Sequence, residues 1–386
     1  MQSVRVAIVG GGLAGLYAAF LLEQRGFRDY VLIEARDALG GRIASVSAPE
    51  RQSVRAIKAF DRFDLGPTWF WPDFQPELGR LVSDLGLRRF VQFETGDMMV
   101  EHSANEPAVR MGGYASSPAS MRVIGGMGAL IEALRQRIGA TRIVTGMKVR
   151  GLSAQDSHVV VGGIDPIGRV LHVRADHVLL AVPPRVVESS IAFSPPLPEP
   201  LRAQWRSQPT WMAPHAKYVA IYDTAFWRKQ GLSGEARSTH GPLGEIHDAS
   251  MPGGSAALFG FFAIPARIRK NVAEDVLRAH CRAQLARLFG PQAAAPMAES
   301  LKDWALDPYT ATASDQEGAT HSSGALAATA ASGLWSGRLT GIASEWSHQF
   351  PGYLAGAVEA ADLGVKALPL WADVSESARP VSLEQR

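Results

Sequence analysis

The residues best able to do chemistry sit at two places far apart in the chain. The first is Gly10-Gly11-Gly12-Leu13-Ala14-Gly15, followed nineteen residues after its last glycine by Glu34. In such a run Gly10 permits a tight turn, Gly12 lets the backbone approach a pyrophosphate, and Gly15 lets a helix pack close to a strand. Glycines at these offsets weaken a turn that has no ligand to hold. A carboxylate at the position of Glu34 can accept hydrogen bonds from ribose hydroxyls. The second place is Lys217, at the head of the apolar run Lys217-Tyr218-Val219-Ala220-Ile221-Tyr222. An ammonium is costly to bury without partners, so this lysine is a site candidate, and the alternative is a side chain snorkelling from an edge strand.

The elements that must position these groups follow from the local pattern. Residues 4–9 are apolar and β-branched, which predicts a buried strand. Residues 16–24, rich in Ala and Leu, predict a helix whose N-terminal N–H groups and positive dipole end would meet phosphates. Tyr30-Val31-Leu32-Ile33 predicts a second strand ending on Glu34. Strand, glycine loop, helix, strand and terminal acid together form the Rossmann dinucleotide fingerprint, which by itself leaves FAD and NAD open.

The residues that follow resolve this. Glu34-Ala35-Arg36-Asp37-Ala38-Leu39-Gly40-Gly41-Arg42 resembles the FAD motif of the flavin-containing amine oxidases, the monoamine and polyamine oxidase family. The resemblance implies FAD, with Arg42 reaching its pyrophosphate, and it continues in order through nearly the whole chain. Asp64-Leu65-Gly66-Pro67-Thr68-Trp69 resembles the segment that passes the flavin ring, with Pro67 where the family usually has a small residue. Gly125-Gly126-Met127-Gly128 resembles the family's Gly-Gly-Met segment and precedes a predicted helix to about Ile138; a strand and Val149 follow, where the resemblance implies a backbone contact to adenine. Asp176 to Val182 predicts another buried strand, closed by the Pro183-Pro184 turn.

Lys217 stands where the family has a lysine that contacts flavin N5 through a water, and Phe226-Trp227-Arg228 resembles the loop behind it. Lys302-Asp303-Trp304 and Asp307-Pro308-Tyr309 match the family's Asp-Trp and Tyr motif, which puts Trp304 at the cofactor. Nine residues after Trp304, where some members carry a cysteine bonded to the flavin, stands Ala313, so the resemblance implies FAD held without a covalent link. Ser314 occupies a position that is aromatic in monoamine oxidases. Gly341-Ile342-Ala343-Ser344-Glu345-Trp346 and Phe350-Pro351-Gly352-Tyr353-Leu354 resemble the closing FAD motif, with Ala343 where Gly is usual. Ser344, Glu345, Gly352 and Leu354 would then bind cofactor, and Tyr353 would flank the ring and orient an amine. Pro351 and Gly352 are expected to open an Ala-rich helix whose amides face the flavin.

Because the cofactor motifs lie at both ends and in the middle, the expected fold is α/β with a discontinuous Rossmann-like FAD-binding domain over 1–72, 124–208 and 310–372. Residues 73–123 and 209–309 would form an α+β substrate domain with a mixed sheet, built on strands 217–223 and 256–263 and a helix over 273–289. Residues 373–386 would be a polar tail. The implied activity is oxidation of an amine to an imine that hydrolyses to a carbonyl compound, with O2 reduced to H2O2. Pro67, Ser314 and Ala343 keep two other readings open. One is a related FAD-dependent dehydrogenase, desaturase or renalase-like oxidase with another substrate or electron acceptor. The other is a FAD-binding partner protein without catalysis.

Composition bounds the rest. The chain has 386 residues, 46% hydrophobic and 20% charged, enough for two or three domain-sized units. With 39 basic and 37 acidic residues the net charge is +2, which gives no reason to expect nucleic acid or an anionic membrane as partner. The lone Cys281, in a helical run with Leu277 and Leu285, excludes an intrachain disulfide and reads as core. Glycines interrupt the apolar N-terminus, and no run is long enough to cross a bilayer, so a soluble cytoplasmic protein is expected. No zinc-type histidine spacing, P-loop or nucleophile elbow is present. Residues 318–333, rich in small residues, predict a loop with at most one short helix.

Overall fold

The computed structural model describes residues 2–49, 61–317 and 326–369. The strand Gln2–Val9 lies inside an eight-stranded sheet, parallel to Tyr30–Ile33 on one side and to Val170–Leu180 on the other. All four residues of Tyr30–Ile33 are buried, as a parallel strand covered on both faces requires. The first helix is Leu13–Gln24, three residues longer at its N-terminus than the Ala/Leu pattern suggests. Gly10, at φ +108°, ends the strand, and Gly12 in an extended conformation caps the helix, so the glycine loop is shorter than its composition implies. A Cβ at Gly15 would stand 1.9 Å from the Gly10 carbonyl oxygen, so only glycine lets this helix lie so close to the loop.

The same helix is packed against Leu354–Lys366 and Gly128–Gln136 in one apolar cluster. The strand anticipated at 176–182 is the C-terminal part of the longer Val170–Leu180, which also pairs antiparallel with Val159–Ile164. Leu339–Gly341 pairs in parallel with Val170–Leu180 and brings the closing motif back to the sheet.

A second, seven-stranded sheet runs in the order 298–303, 216–222, 256–262, 243–248, 232–238, 97–101 and 109–111. It is mixed: Leu232–Ser238 runs parallel to Asp97–Glu101 while the other pairs are antiparallel. Ala216–Tyr222, which carries Lys217, is interior and buried at every residue, so the edge-strand alternative for Lys217 does not hold. Helix Glu274–Phe289 covers this sheet, with Cys281, Leu285 and Leu288 in the shared core. Among the described residues no helix is long and apolar enough to cross a membrane. The tail expected at 373–386 and residues 318–325 of the small-residue stretch lie outside the described residues, and 326–333 contains neither helix nor strand.

Candidate active site

One cavity of about 390 Å³ is lined both by the glycine loop and by Lys217. Every residue singled out above as cofactor-binding or catalytic lines it, except Gly15 and Glu345. These two stand one layer behind: Gly15 seats the helix, and Glu345 holds Arg42.

At the glycine-loop end, Glu34 is 4% exposed. Its carboxylate accepts hydrogen bonds from the Gly11 amide at 2.6 Å and the Arg36 amide at 2.8 Å. It therefore ties the loop to the end of the second strand before any ligand is considered. The first helix has no side-chain cap, and Leu13 and Ala14 line the cavity. A Cβ on Gly12 would meet no protein atom within 3.7 Å, so this glycine opens onto free space in front of those amides. Uncapped amides beside a buried carboxylate fit the pyrophosphate and ribose of a dinucleotide.

Arg42 is committed to protein partners, Glu345 Oε1 at 2.5 Å and Ser344 Oγ at 3.1 Å, which fixes its guanidinium on the cavity wall. Arg36 donates to Asp307 at 2.5 Å and lies over the Tyr309 ring at 4.9 Å. Burial raises the Asp307 pKa, but the Lys302 hydrogen bond and the Arg36 charge outweigh it and hold the carboxyl below its usual range. The closing helix begins at Leu354, with Tyr353 as its uncapped N-cap, rather than at Pro351 and Gly352. The cause is Gly352, whose φ of +84° lies in the left-handed region and cannot continue into a helix.

At the other end Lys217 is 2% exposed. Its Nζ donates to Thr68 Oγ1 at 2.5 Å and to the Gly66 carbonyl at 3.1 Å, and lies 3.9 Å from the centroid of the Phe259 ring. Burial is the dominant influence on it and lowers its pKa to about 7, against the opposing attraction of Asp64. Asp64 is itself buried, which raises its pKa, and it accepts hydrogen bonds from Ser45 Oγ and the Met127 amide. Trp304 Nε1 donates to the Leu65 carbonyl, so the segment 64–68 is gripped from two sides. Of the three N–H groups of an ammonium, these oxygens engage two, with the Phe259 ring beside the same nitrogen.

The family model for flavin containing amine oxidoreductases matches residues 108–368, and that for NAD(P)-binding Rossmann-like domains matches residues 8–85. The chain belongs to the flavin-containing amine oxidoreductase family. Among curated relatives it is 24% identical to putrescine oxidase of Kocuria rosea, over 79% of this chain and 83% of that one. It is also 24% identical to the flavin-containing amine oxidase B of Rattus norvegicus, over 94% and 85% of the two chains. In fold it is similar to cyclohexylamine oxidase from Brevibacterium oxydans (TM-score 0.74, 19% identity, 97% and 100% of the two chains). It is likewise similar to putrescine oxidase bound to putrescine (TM-score 0.72, 20% identity, 97% and 99%). As a member of this family it is an FAD-dependent amine oxidase.

This amine oxidase departs from the sequence reading where side chains arrive from unannounced segments. Trp211, Met212, His215 and Phe261 line the cavity, and no sequence motif marks them. Phe261 was hidden inside a strand pattern that looks like plain core, although it sits opposite Lys217 in the sheet register. Trp211 and His215 flank Met212, the one non-glycine residue with positive φ (+48°) among the described residues, and nothing in their types announces a site. Asp64 carried a signal, because it opens the motif 64–69, but its role as the buried counter-charge of Lys217 appears only in three dimensions. Ala313 and Ser314 do not line the cavity. The neighbouring Asp315 is fully buried, paired with Arg185 at 2.5 Å and accepting from the Thr210 amide, which fixes that segment elsewhere.

Proposed function

We propose that this enzyme oxidises a small amine with an apolar carbon skeleton to the corresponding imine, and that O2 is its electron acceptor. The observation that carries this reading is the buried Lys217 in the same cavity as the glycine loop, beside Trp69, Trp304 and Phe261. FAD supplies the redox step when bound: a hydride equivalent leaves the amine's α-carbon, O2 becomes H2O2, and the imine hydrolyses to a carbonyl compound.

The chain's own residues bind, orient and shield. The amides at Gly12, Leu13 and Ala14 and the Glu34 carboxylate would hold the dinucleotide, with Arg42, Ser344 and Val149 as further cofactor-binding residues. Lys217 keeps one N–H for a water at the reacting edge, and a lysine whose pKa is lowered to about 7 can hold or release a proton near neutrality. Tyr353 orients the amine, and the apolar walls favour its neutral form. FAD is held without a covalent link, a reading supported by Ala313 at the linking position and by the burial of Cys281 in the helix core. The two sheets would correspond to a cofactor domain over 1–72, 124–208 and 310–372 and a substrate domain over 73–123 and 209–309. A cytoplasmic location is in keeping with the lone cysteine.

The missing aromatic residue at Ser314 favours, as a second reading, a related oxidoreductase that passes electrons to another acceptor. One preparation separates the two. The purified yellow protein should release intact FAD on acid precipitation. Under anaerobic conditions its flavin band should bleach with an amine from a panel that includes putrescine and cyclohexylamine. Air should then restore the band with release of hydrogen peroxide. Bleaching by amine without peroxide on aeration supports the second reading, and no bleaching by any amine contradicts the first.

A further inference from the structure

The turn 210–215 is held in an unusual shape beside Lys217. Met212 has φ +48°, a conformation that L side chains adopt at a cost and that persists only where the surroundings enforce it. Here the enforcement is visible. The buried Arg269 donates to the Pro214 carbonyl at 2.7 Å and is itself paired with Asp303 at 2.8 Å. The Trp304 amide donates to the His215 carbonyl, and the His215 amide to the Met212 carbonyl. Gly352 makes room on the other side, because a Cβ there would stand 2.7 Å from Trp211 Cβ. Strain held this firmly in a cavity wall points to function.

The turn places two rings in the cavity. Trp211 abuts Gly352 next to Tyr353, and His215 lies 5.9 Å from Trp211, ring centre to ring centre. His215 continues the strand of Lys217 two residues earlier, so the two side chains project to the same face. Its Nδ1 is buried and has no hydrogen-bond partner, and the Met212 backbone is the one neighbour that favours a proton on the ring. Its Nε2 has no hydrogen-bond partner among the described residues and is not among the occluded polar atoms. With the proton on Nδ1, Nε2 is a lone-pair acceptor with no protein donor to satisfy it. Burial and the Arg269 charge keep the ring neutral by lowering its pKa.

We propose that the Trp211–His215 turn is the amine-recognition wall of this enzyme, with His215 Nε2 accepting a hydrogen bond from the substrate's N–H and Trp211 covering its carbon skeleton. This inference rests on the amine-oxidase reading above and specifies its substrate as an amine bearing at least one N–H next to an apolar body.

The test is anaerobic stopped-flow reduction of the FAD-loaded enzyme by putrescine and cyclohexylamine, which separates the dissociation constant of the amine from the rate of flavin reduction. His215→Leu should raise the dissociation constant roughly tenfold while the limiting reduction rate stays within about threefold, the expected loss for one hydrogen bond. His215→Gln, whose amide reaches close to the Nε2 position, should restore binding. If the leucine variant does not hold FAD, His215→Asn takes its place, since its shorter amide falls short of that position, with the same expected weakening against His215→Gln. Unchanged dissociation constants in His215→Leu or His215→Asn overturn the inference, as does equal weakening in His215→Gln. If neither amine, nor any other in a broad panel, bleaches the wild-type flavin, the amine reading itself fails and takes this inference with it.

Discussion

At the glycine-loop end of the cavity the backbone makes the site; at the Lys217 end side chains make it. Gly10, Gly12 and Gly15 act by lacking a Cβ, the helix acts through its own amides, and the acidic side chain of this loop, Glu34, is itself bound to two backbone amides. All of this lies within about 35 consecutive residues. At the other end Thr68, Trp211 with Lys217, Trp304 and Tyr353 come from four separated segments and meet only through tertiary packing. A backbone site tolerates almost any side chain that leaves its shape alone and no added Cβ at a contact point. A side-chain site tolerates changes of volume and fails when a particular functional group is lost.

The largest effect should come from breaking the backbone end. Gly15→Ala puts a methyl group 1.9 Å from the Gly10 carbonyl, a backbone atom that cannot swing aside. Overpacking of this kind costs about 3 kcal/mol. The purified variant should lack FAD and melt at a markedly lower temperature, and a yellow, normally stable variant would show that the helix does not depend on this glycine. Glu34→Ala should come next. It removes hydrogen bonds to a charged acceptor worth about 1.5–3 kcal/mol, so FAD affinity measured on reconstituted apoprotein should fall tenfold or more, with the apoprotein still folded. An unchanged dissociation constant would remove Glu34 from the cofactor site.

A smaller, pH-dependent effect should mark the side-chain end. The Lys217 pKa falls from 10.5 in the unfolded chain to about 7 in the fold. Between those values the unfolded state binds more protons, so this group makes stability rise with pH from about 7 to about 10.5 and adds no slope below both values. In Lys217→Met apoprotein that contribution disappears. The stability of the variant relative to wild type should therefore decline by more than about 1 kcal/mol between pH 7 and pH 10, as read by urea unfolding. A constant difference would mean that Lys217 is not desolvated.

The same contrast explains what was legible in the sequence. The strand at 4–9, the glycine loop, Tyr30–Ile33 and Glu34 were readable because their chemistry depends on short-range spacing. The interior strand around Lys217 was readable because its residues are apolar throughout, and the mixed second sheet followed from the order of its motifs. The start of the helix at Leu354 is not legible, because proline and glycine look like a helix opening until the sign of φ at Gly352 is known. Trp211 and His215 were not legible at all. Their placement depends on Arg269, Trp304 and Gly352, which are 54 to 141 residues further along the chain, and no local pattern carries that information.

The central claim is that Lys217 is the working group at the reacting end of the cavity rather than a buried structural residue. Stopped-flow reoxidation of the reduced Lys217→Met enzyme by O2 tests it most directly, because methionine keeps much of the stem's volume and removes the ammonium. The account predicts that FAD stays bound and that reoxidation slows by about tenfold or more, a loss of at least about 1.4 kcal/mol of barrier stabilisation. Reoxidation at the wild-type rate, with flavin reduction by amine also unchanged, would contradict it.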